Sequence, residues 1–254
     1  MKTLTKVLTE QQQAGKTIFV PYIMVGAQGL ERLAEEIQLL SEAGASAIEL
    51  GIPFSDPVAD GPVIQKAGLK ALEKQVTLEK IIETLTKITT TTPLVIMTYV
   101  NPIYSFGLER FVQALAATPV QGLVIPDLPY EHRDLLAPLL DENDLALIPL
   151  IALTTPRARM TELIATGEGF IYAVAVNGVT GTDREYQEAL DEHLAYIQAI
   201  SDKPVLAGFG ISSKEHVTRF RKSCAGVIVG SKIVQLLDEG KNAEVRSFVK
   251  ELIG

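Results

Sequence analysis

Thr17-Ile18-Phe19-Val20-Pro21-Tyr22-Ile23-Met24-Val25-Gly26-Ala27-Gln28-Gly29 is the stretch that separates two candidate folds. Thr17–Val25 is a continuous apolar run, as expected of a strand buried on both faces in a parallel sheet. An open doubly wound sheet that binds a dinucleotide carries Gly-x-Gly-x-x-Gly in the turn after its first strand. Gly26-Ala27-Gln28-Gly29 does not match that fingerprint. A closed barrel needs no such turn.

Seven further strand-like runs follow: Ser46–Leu50, Leu94–Val100, Gly122–Pro126, Ala146–Ile151, Phe170–Val176, Pro204–Phe209 and Gly226–Gly230. Helical stripes lie between them. Leu30, Leu33, Ile37 and Leu40 form one; Leu78, Ile81, Ile82, Leu85 and Ile88 a second; Leu135, Leu136, Leu139 and Leu140 a third. Thr155 before Pro156 has the form of an N-cap with proline at the first helical position. Ser212 and Glu215 have the spacing of a capping box. No long linker or shift in composition interrupts the alternation, so the expected architecture is an α/β fold, a (β/α)₈ barrel with 1–254 as one domain. The doubly wound sheet is the rival.

Composition narrows the function. The chain of 254 residues has 23 basic and 31 acidic residues, a formal net charge of −8. Without a long Lys/Arg run it is a poor binder of nucleic acid or membrane surface. An anionic substrate must then be held by local donors. The single cysteine, Cys224, excludes an intrachain disulfide and a multi-cysteine metal site, and reads as a small packed residue. Met1 to Gly15 is polar and Gln-rich, unlike a signal peptide, and no apolar run reaches membrane-spanning length. The expectation is a soluble, cytoplasmic protein.

Barrel active sites lie at the C-terminal ends of the strands. Glu49 ends the second run, where Ala47, Glu49 and Gly51 alternate with Ile48 and Leu50. A carboxylate there is costly unless paired or hydrogen-bonded, so it is half of a structural ion pair, a residue turned outward at the strand end, or a functional group whose pKa burial raises. The loop after it, Gly51 to Pro62, holds three prolines and two glycines around Asp56 and Asp60, which either serve a site or close turns. Tyr99, Asp127 and Tyr172 lie at or near other strand ends, the tyrosines being equally readable as packing residues. Gly208-Phe209-Gly210 and Gly230-Ser231 follow the last two runs and precede helical patterns, where backbone N–H groups and helix N-termini receive phosphate.

Absences count too. No lysine falls within the strand runs, which disfavours a Schiff-base aldolase. His132, His193 and His216 read as solvated surface residues and form no metal-ligand cluster, so no metal is expected. What remains is carboxylate acid–base chemistry on a small phosphorylated substrate.

Glu49-Leu50-Gly51-Ile52-Pro53-Phe54-Ser55-Asp56-Pro57-Val58-Ala59-Asp60-Gly61-Pro62 closely resembles the signature of the tryptophan synthase α-subunit family. The likeness continues through Tyr99-Val100-Asn101-Pro102, Pro126-Asp127-Leu128-Pro129, Gly178-Val179-Thr180-Gly181, Gly208-Phe209-Gly210-Ile211-Ser212 and Gly230-Ser231. These blocks occur in family order and span nearly the whole chain; the first is highly specific.

The resemblance implies a lyase that cleaves indole-3-glycerol phosphate to indole and glyceraldehyde-3-phosphate by retro-aldol chemistry. It implies Glu49 as general acid/base at indole C3 and Asp60 as acceptor for the indole N–H. Phosphate contacts map onto Gly181, Gly208, Phe209, Gly210, Gly230 and Ser231. The indole pocket maps onto Tyr22, Ile64, Met97, Tyr99, Val124 and Tyr172, and Thr180 onto a closing loop within Asn177 to Gln187. The resemblance further implies a β subunit in an αββα assembly, which carries the pyridoxal phosphate and condenses indole with L-serine; this chain would hold no cofactor. Pro53, Asp56, Asn101, Pro102, Asp127 and Pro129 are the interface candidates. Tyr22 stands where members often have Phe, Pro126 where they have Ala, and Val176 where some have Arg. Another phosphate-binding barrel, such as a sugar-phosphate isomerase, epimerase or lyase, shares the glycine turns but not the acidic loop. A barrel kept only to activate a partner is the non-enzymatic alternative, opposed by the retention of Glu49 and Asp60.

Overall fold

The computed structural model describes residues 1–174, 183–208 and 214–253. In chain order its helices and strands are α1 (Thr3–Gln13), β1 (Ile18–Met24), α2 (Leu33–Ala43), β2 (Ile48–Gly51), α3 (Pro62–Glu73), α4 (Leu78–Leu85) and β3 (Leu94–Met97). Next come α5 (Val100–Phe106), α6 (Leu108–Ala116), β4 (Val120–Val124), α7 (Ala137–Glu142), β5 (Ala146–Ile148), β6 (Leu150–Ala152) and α8 (Arg157–Thr166). The chain continues through β7 (Ile171–Val174), α9 (Asp183–Ile200), β8 (Val205–Gly208), α10 (Lys214–Phe220), β9 (Gly226–Val229), α11 (Ser231–Asp238) and α12 (Asn242–Ile253).

All strand pairings are parallel, in the order β5-β4-β3-β2-β1-β9-β8-β7-β6. The two ends of that order, β5 and β6, flank Pro149, so the ring closes through one interrupted strand. Proline has no N–H to give to a ladder, which is why the expected run Ala146–Ile151 appears as two pieces. The result is the (β/α)₈ barrel, not the doubly wound sheet. Side chains alternate across it: Ile18 and Val20 pack inside with Ala47, Val95, Val124, Leu206 and Ile228, while Phe19, Ile48, Leu50, Ile96 and Val227 face the helices.

Several expectations need correction. The third run was expected to reach Val100, but the strand stops at Met97 and Val100 opens α5. The Val100 N–H, orphaned at that helix start, donates to Asp127 Oδ1 at 2.9 Å, so a loop 27 residues away supplies the cap. The α8 helix begins one residue later than expected: Pro156 occupies the N-cap position, and Thr155 Oγ1 instead accepts from the Ala152 N–H. The third leucine stripe is broken, with Leu136 and Leu140 buried but Leu135 exposed in a 3₁₀ segment. His193 is not a surface histidine. It lies on the α9 face that buries Leu190, Leu194 and Ile197, and desolvation holds its imidazole below the usual pKa. His132 is exposed as expected and Cys224 is buried, free and pushed up to about 11 by burial. The loop expected over Asn177 to Gln187 does not extend to Gln187, because α9 begins at Asp183. The Ser212 cap, the rest of that loop with Thr180 and Gly181, Val176, Phe209, Gly210 and the His216 side chain lie outside the described residues.

Sequence reading missed α1. Its composition is polar, but Leu4 and Leu8 at i, i+4 share one face. Both are fully buried against Ile18, Val124, Ala146 and Phe170, plugging the barrel end opposite the site. Gly122 and Gly169 make room for the plug: a Cβ on either would lie 2.9 Å from Leu4 Cδ2. Leu4→Ala is therefore expected to cost about 2–5 kcal/mol of unfolding free energy, measurable by urea denaturation. A loss below roughly 1 kcal/mol would mean that α1 does not close the barrel.

Candidate active site

The β2 strand carries Glu49 inward, opposite Tyr22 of β1 and Val95 of β3. Glu49 is 1% exposed and neither carboxylate oxygen has a hydrogen-bond partner among the described residues. The structural ion pair considered from sequence is absent there. Burial, with a smaller contribution from the nearby Asp60 charge, raises its pKa from 4.5 to about 8. At neutral pH Glu49 is mostly an acid with a proton to give.

Asp60 reaches the same region from the loop between β2 and α3. Its N–H closes a turn onto Pro57 O, and Gln65 Nε2 holds its carbonyl at 2.7 Å. Gly61 and Pro62 then start α3, proline fitting the first helical position. Burial raises the Asp60 pKa to about 6, opposed by a hydrogen bond from the Tyr99 hydroxyl. That hydroxyl also accepts from the Ala59 N–H at 3.1 Å. Tyr99 is thus the brace of the loop, and the Phe54 ring lies 5.2 Å from its own. Two carboxyl groups in one site, one protonated and one ionised at pH 7, make an acid and an anion ready to divide a reaction between them.

Above them opens a cavity of about 310 Å³. Of the expected substrate contacts it is lined by Tyr22, Ile64, Met97, Tyr172, Gly208, Gly230 and Ser231, together with Asp60. Burial above all, then the two acids, raises the phenol pKa of both Tyr22 and Tyr172, so both stay neutral. Two glycines keep the walls open: a Cβ on Gly51 would stand 1.8 Å from the Tyr22 hydroxyl, and one on Gly208 2.3 Å from the Tyr172 ring. Tyr99 and Val124 do not line the cavity. Tyr99 sits behind Asp60, and Val124 lies lower, in the core with Val20 and Val95.

Sequence reading missed Ala59, Gly61, Ile228, Lys232 and Gln235 in the cavity wall. Lys232 and Gln235 belong to the first turns of α11, and the helical phase from Ser231 was the signal that could have found them. A second cleft, about 260 Å³, lies between the Pro126 to Glu131 loop and α8. Its one carboxylate among the described residues, Glu131, is tied to Arg159, so those residues offer no acid–base pair.

Among the interface candidates, Asp56, Asn101, Asp127 and Pro129 are exposed at the rim, Pro102 is half-buried and Pro53 is buried in the isolated chain. Val58 and Tyr104, beside them, are 82% and 72% exposed.

A parallel barrel with two acids of unequal pKa beneath a glycine-walled cavity at its C-terminal face defines a barrel enzyme of carboxylate acid–base chemistry. The tryptophan synthase alpha chain family matches residues 8–253. The tryptophan synthase alpha chain of Lactococcus lactis subsp. lactis is 56% identical over 100% of this chain and 99% of its own. That of Listeria welshimeri is 53% identical over 98% and 96%. Among solved structures, tryptophan synthase from M. tuberculosis superposes with a TM-score of 0.89 at 28% identity, covering 100% of this chain and 98% of that one. The alpha subunit from Legionella pneumophila gives 0.88 at 29%, covering 99% and 97%. The chain belongs to the tryptophan synthase alpha chain family, lyases of tryptophan biosynthesis that cleave indole-3-glycerol phosphate to indole and glyceraldehyde-3-phosphate. The pyridoxal phosphate of the family's complex belongs to the β chain. No helix among the described residues is long and apolar enough to cross a membrane.

Proposed function

We propose that Glu49 and Asp60 carry this cleavage, in a domain spanning 1–254 whose last quarter holds the phosphate. The protonated Glu49 gives its proton to indole C3. The ring then bears positive charge, shared with its N–H, which donates to the ionised Asp60. The bond from C3 to the glycerol chain breaks, its electron pair returns to the ring, and the adjacent hydroxyl yields its proton to Glu49 as it becomes the aldehyde. The acid is regenerated and every proton is accounted for. The observation that carries this reading is the 1% exposed Glu49, without a hydrogen-bond partner among the described residues, whose pKa of about 8 keeps it protonated at neutrality.

The indole ring would lie against Tyr22, Ile64, Met97 and Tyr172, with Tyr99 holding Asp60 and Val124 supporting the floor. Phosphate would lie against Gly208, Gly230 and Ser231, with Gly181, Phe209 and Gly210 completing the set and Thr180 on the closing loop. Gly230 supports this placement: a Cβ there would make only ordinary contacts, the nearest at 3.6 Å, so internal packing does not demand glycine. A close-approaching ligand does. The chain needs no cofactor of its own for these steps.

The same reading gives a cytoplasmic αββα assembly with a β subunit that takes the indole. Its docking face is the catalytic rim, where the exposed Val58 and Tyr104 flank Asp56, Asn101, Asp127 and Pro129, with Pro53 and Pro102 stiffening the loops. Stiff loops lose little entropy on docking, and exposed apolar groups gain from burial. Titration of the purified chain with its β subunit, following indole release from indole-3-glycerol phosphate, tests both claims. Association at micromolar concentration with increased turnover is expected. Cleavage without association removes the partner; no cleavage in either state, or faster turnover of a simple pentose phosphate, removes the reaction.

A further inference from the structure

We infer, resting on the phosphate placement proposed above, that Lys232 is a substrate-binding residue whose ammonium group pairs with the phosphate of indole-3-glycerol phosphate and sets the preference for the phosphorylated substrate. Lys232 is the second residue of α11 and lines the same cavity as Asp60 and Tyr172. It is the only lysine or arginine among the described residues of that wall. It makes no hydrogen bond or ion pair with the described residues, although Glu239 feels its charge. A cation in the first turn of a helix sits at the positive end of the macrodipole, where it is disfavoured. The first turn of α11 contains no acidic residue to offset it. That arrangement is unfavourable in the empty chain and becomes favourable when an anion enters.

The cavity needs such a cation. Asp60, ionised at neutral pH, acts electrostatically on both Tyr22 and Tyr172, so the field reaching the cavity wall from the reacting end is negative. The chain as a whole is at −8 and offers no general attraction. A phosphate carrying close to two negative charges must enter this field, and neutral backbone donors at Gly208 and Gly230 compensate it only in part. Lys232, adjacent in sequence to Ser231, supplies a mobile positive charge at the end of the cavity where those donors lie. It also orients the substrate: attraction at α11 and repulsion from the ionised Asp60 place the phosphate away from the acids and the indole beside them.

The test uses the full chain with its β subunit present and compares Lys232→Met, Lys232→Arg and the parent on indole-3-glycerol phosphate and on unphosphorylated indole-3-glycerol. Lys232→Met is expected to raise KM for the phosphorylated substrate about 10-fold, the equivalent of one charge-assisted hydrogen bond in a partly hydrated site, with kcat within about twofold. Lys232→Arg should restore KM to within about threefold of the parent. For the unphosphorylated compound, Lys232→Met and the parent should share one kcat/KM. A parent preference for the phosphorylated substrate that Lys232→Met keeps in full overturns the role of Lys232 and leaves the phosphate placement standing. Equal losses on both substrates also overturn it, because they mark a structural effect. A parent that shows no preference for the phosphorylated substrate overturns the placement and this inference together.

Discussion

Replacing Glu49 by glutamine is expected to lower turnover of indole-3-glycerol phosphate by on the order of 10²–10⁴-fold. Glutamine keeps the shape of the protonated acid, but its amide is too weak an acid to give a proton to indole C3 and its carbonyl oxygen too weak a base to take one from the glycerol hydroxyl. Stability should move the other way. The Glu49 carboxyl titrates at about 8 in the fold against 4.5 when exposed, so the native state holds a proton that the unfolded chain has released between those values. Its contribution to stability is complete below pH 4.5 and is lost progressively as pH rises to about 8. Glutamine escapes that loss, which at about 1.36 kcal/mol per pKa unit exceeds the roughly 1–3 kcal/mol cost of burying an unpaired amide. Glu49→Gln should therefore melt at a higher temperature than the parent at pH 8 and at a similar one at pH 4.5. Wild-type turnover removes Glu49 from catalysis. A melting temperature below that of the parent at pH 8 would show that Glu49 is held as an ion by a partner.

The elements that depend on neighbours in sequence were legible before the structure. Continuous apolar runs placed all eight barrel strands because burial on both faces leaves no alternation to confuse them. Glu49 stood out for the opposite reason, as charge where the pattern demands apolar residues, whereas Asp60 read equally well as a turn residue until the family resemblance singled it out. What depended on distant contacts was not. Nothing near Val100 announces that Asp127 caps it, and nothing near Asp60 that Tyr99 holds it. The α1 helix hides behind its glutamines because a plug needs only Leu4 and Leu8. His193 reads as a solvated surface residue until α9 turns it inward, and nothing in the sequence singles out Lys232 until α11 turns it toward the cavity. The boundary between the two groups is the range of the interaction, not the importance of the residue.

Asp60→Asn is expected to cost on the order of 10²-fold in kcat/KM, the usual consequence of removing one pre-aimed electrostatic group from a transition state. Asparagine can still accept the indole N–H through its carbonyl oxygen, so substrate binding should weaken much less than turnover. What it cannot do is oppose the positive charge that the ring gains when Glu49 protonates it. The pH profile distinguishes this role from simple packing. In the parent, kcat/KM should rise as Asp60 ionises near pH 6 and fall as Glu49 loses its proton near pH 8. Asp60→Asn has no group to ionise at the lower value, so the acidic limb should vanish. The alkaline limb should stay but move to lower pH, because the Asp60 charge is one of the two causes that hold Glu49 protonated. A variant that keeps an acidic limb near pH 6 would place that titration on another group. An alkaline limb that stays near pH 8 would mean that the two carboxylates do not feel each other, and the division of acid and anion between Glu49 and Asp60 would fail with it.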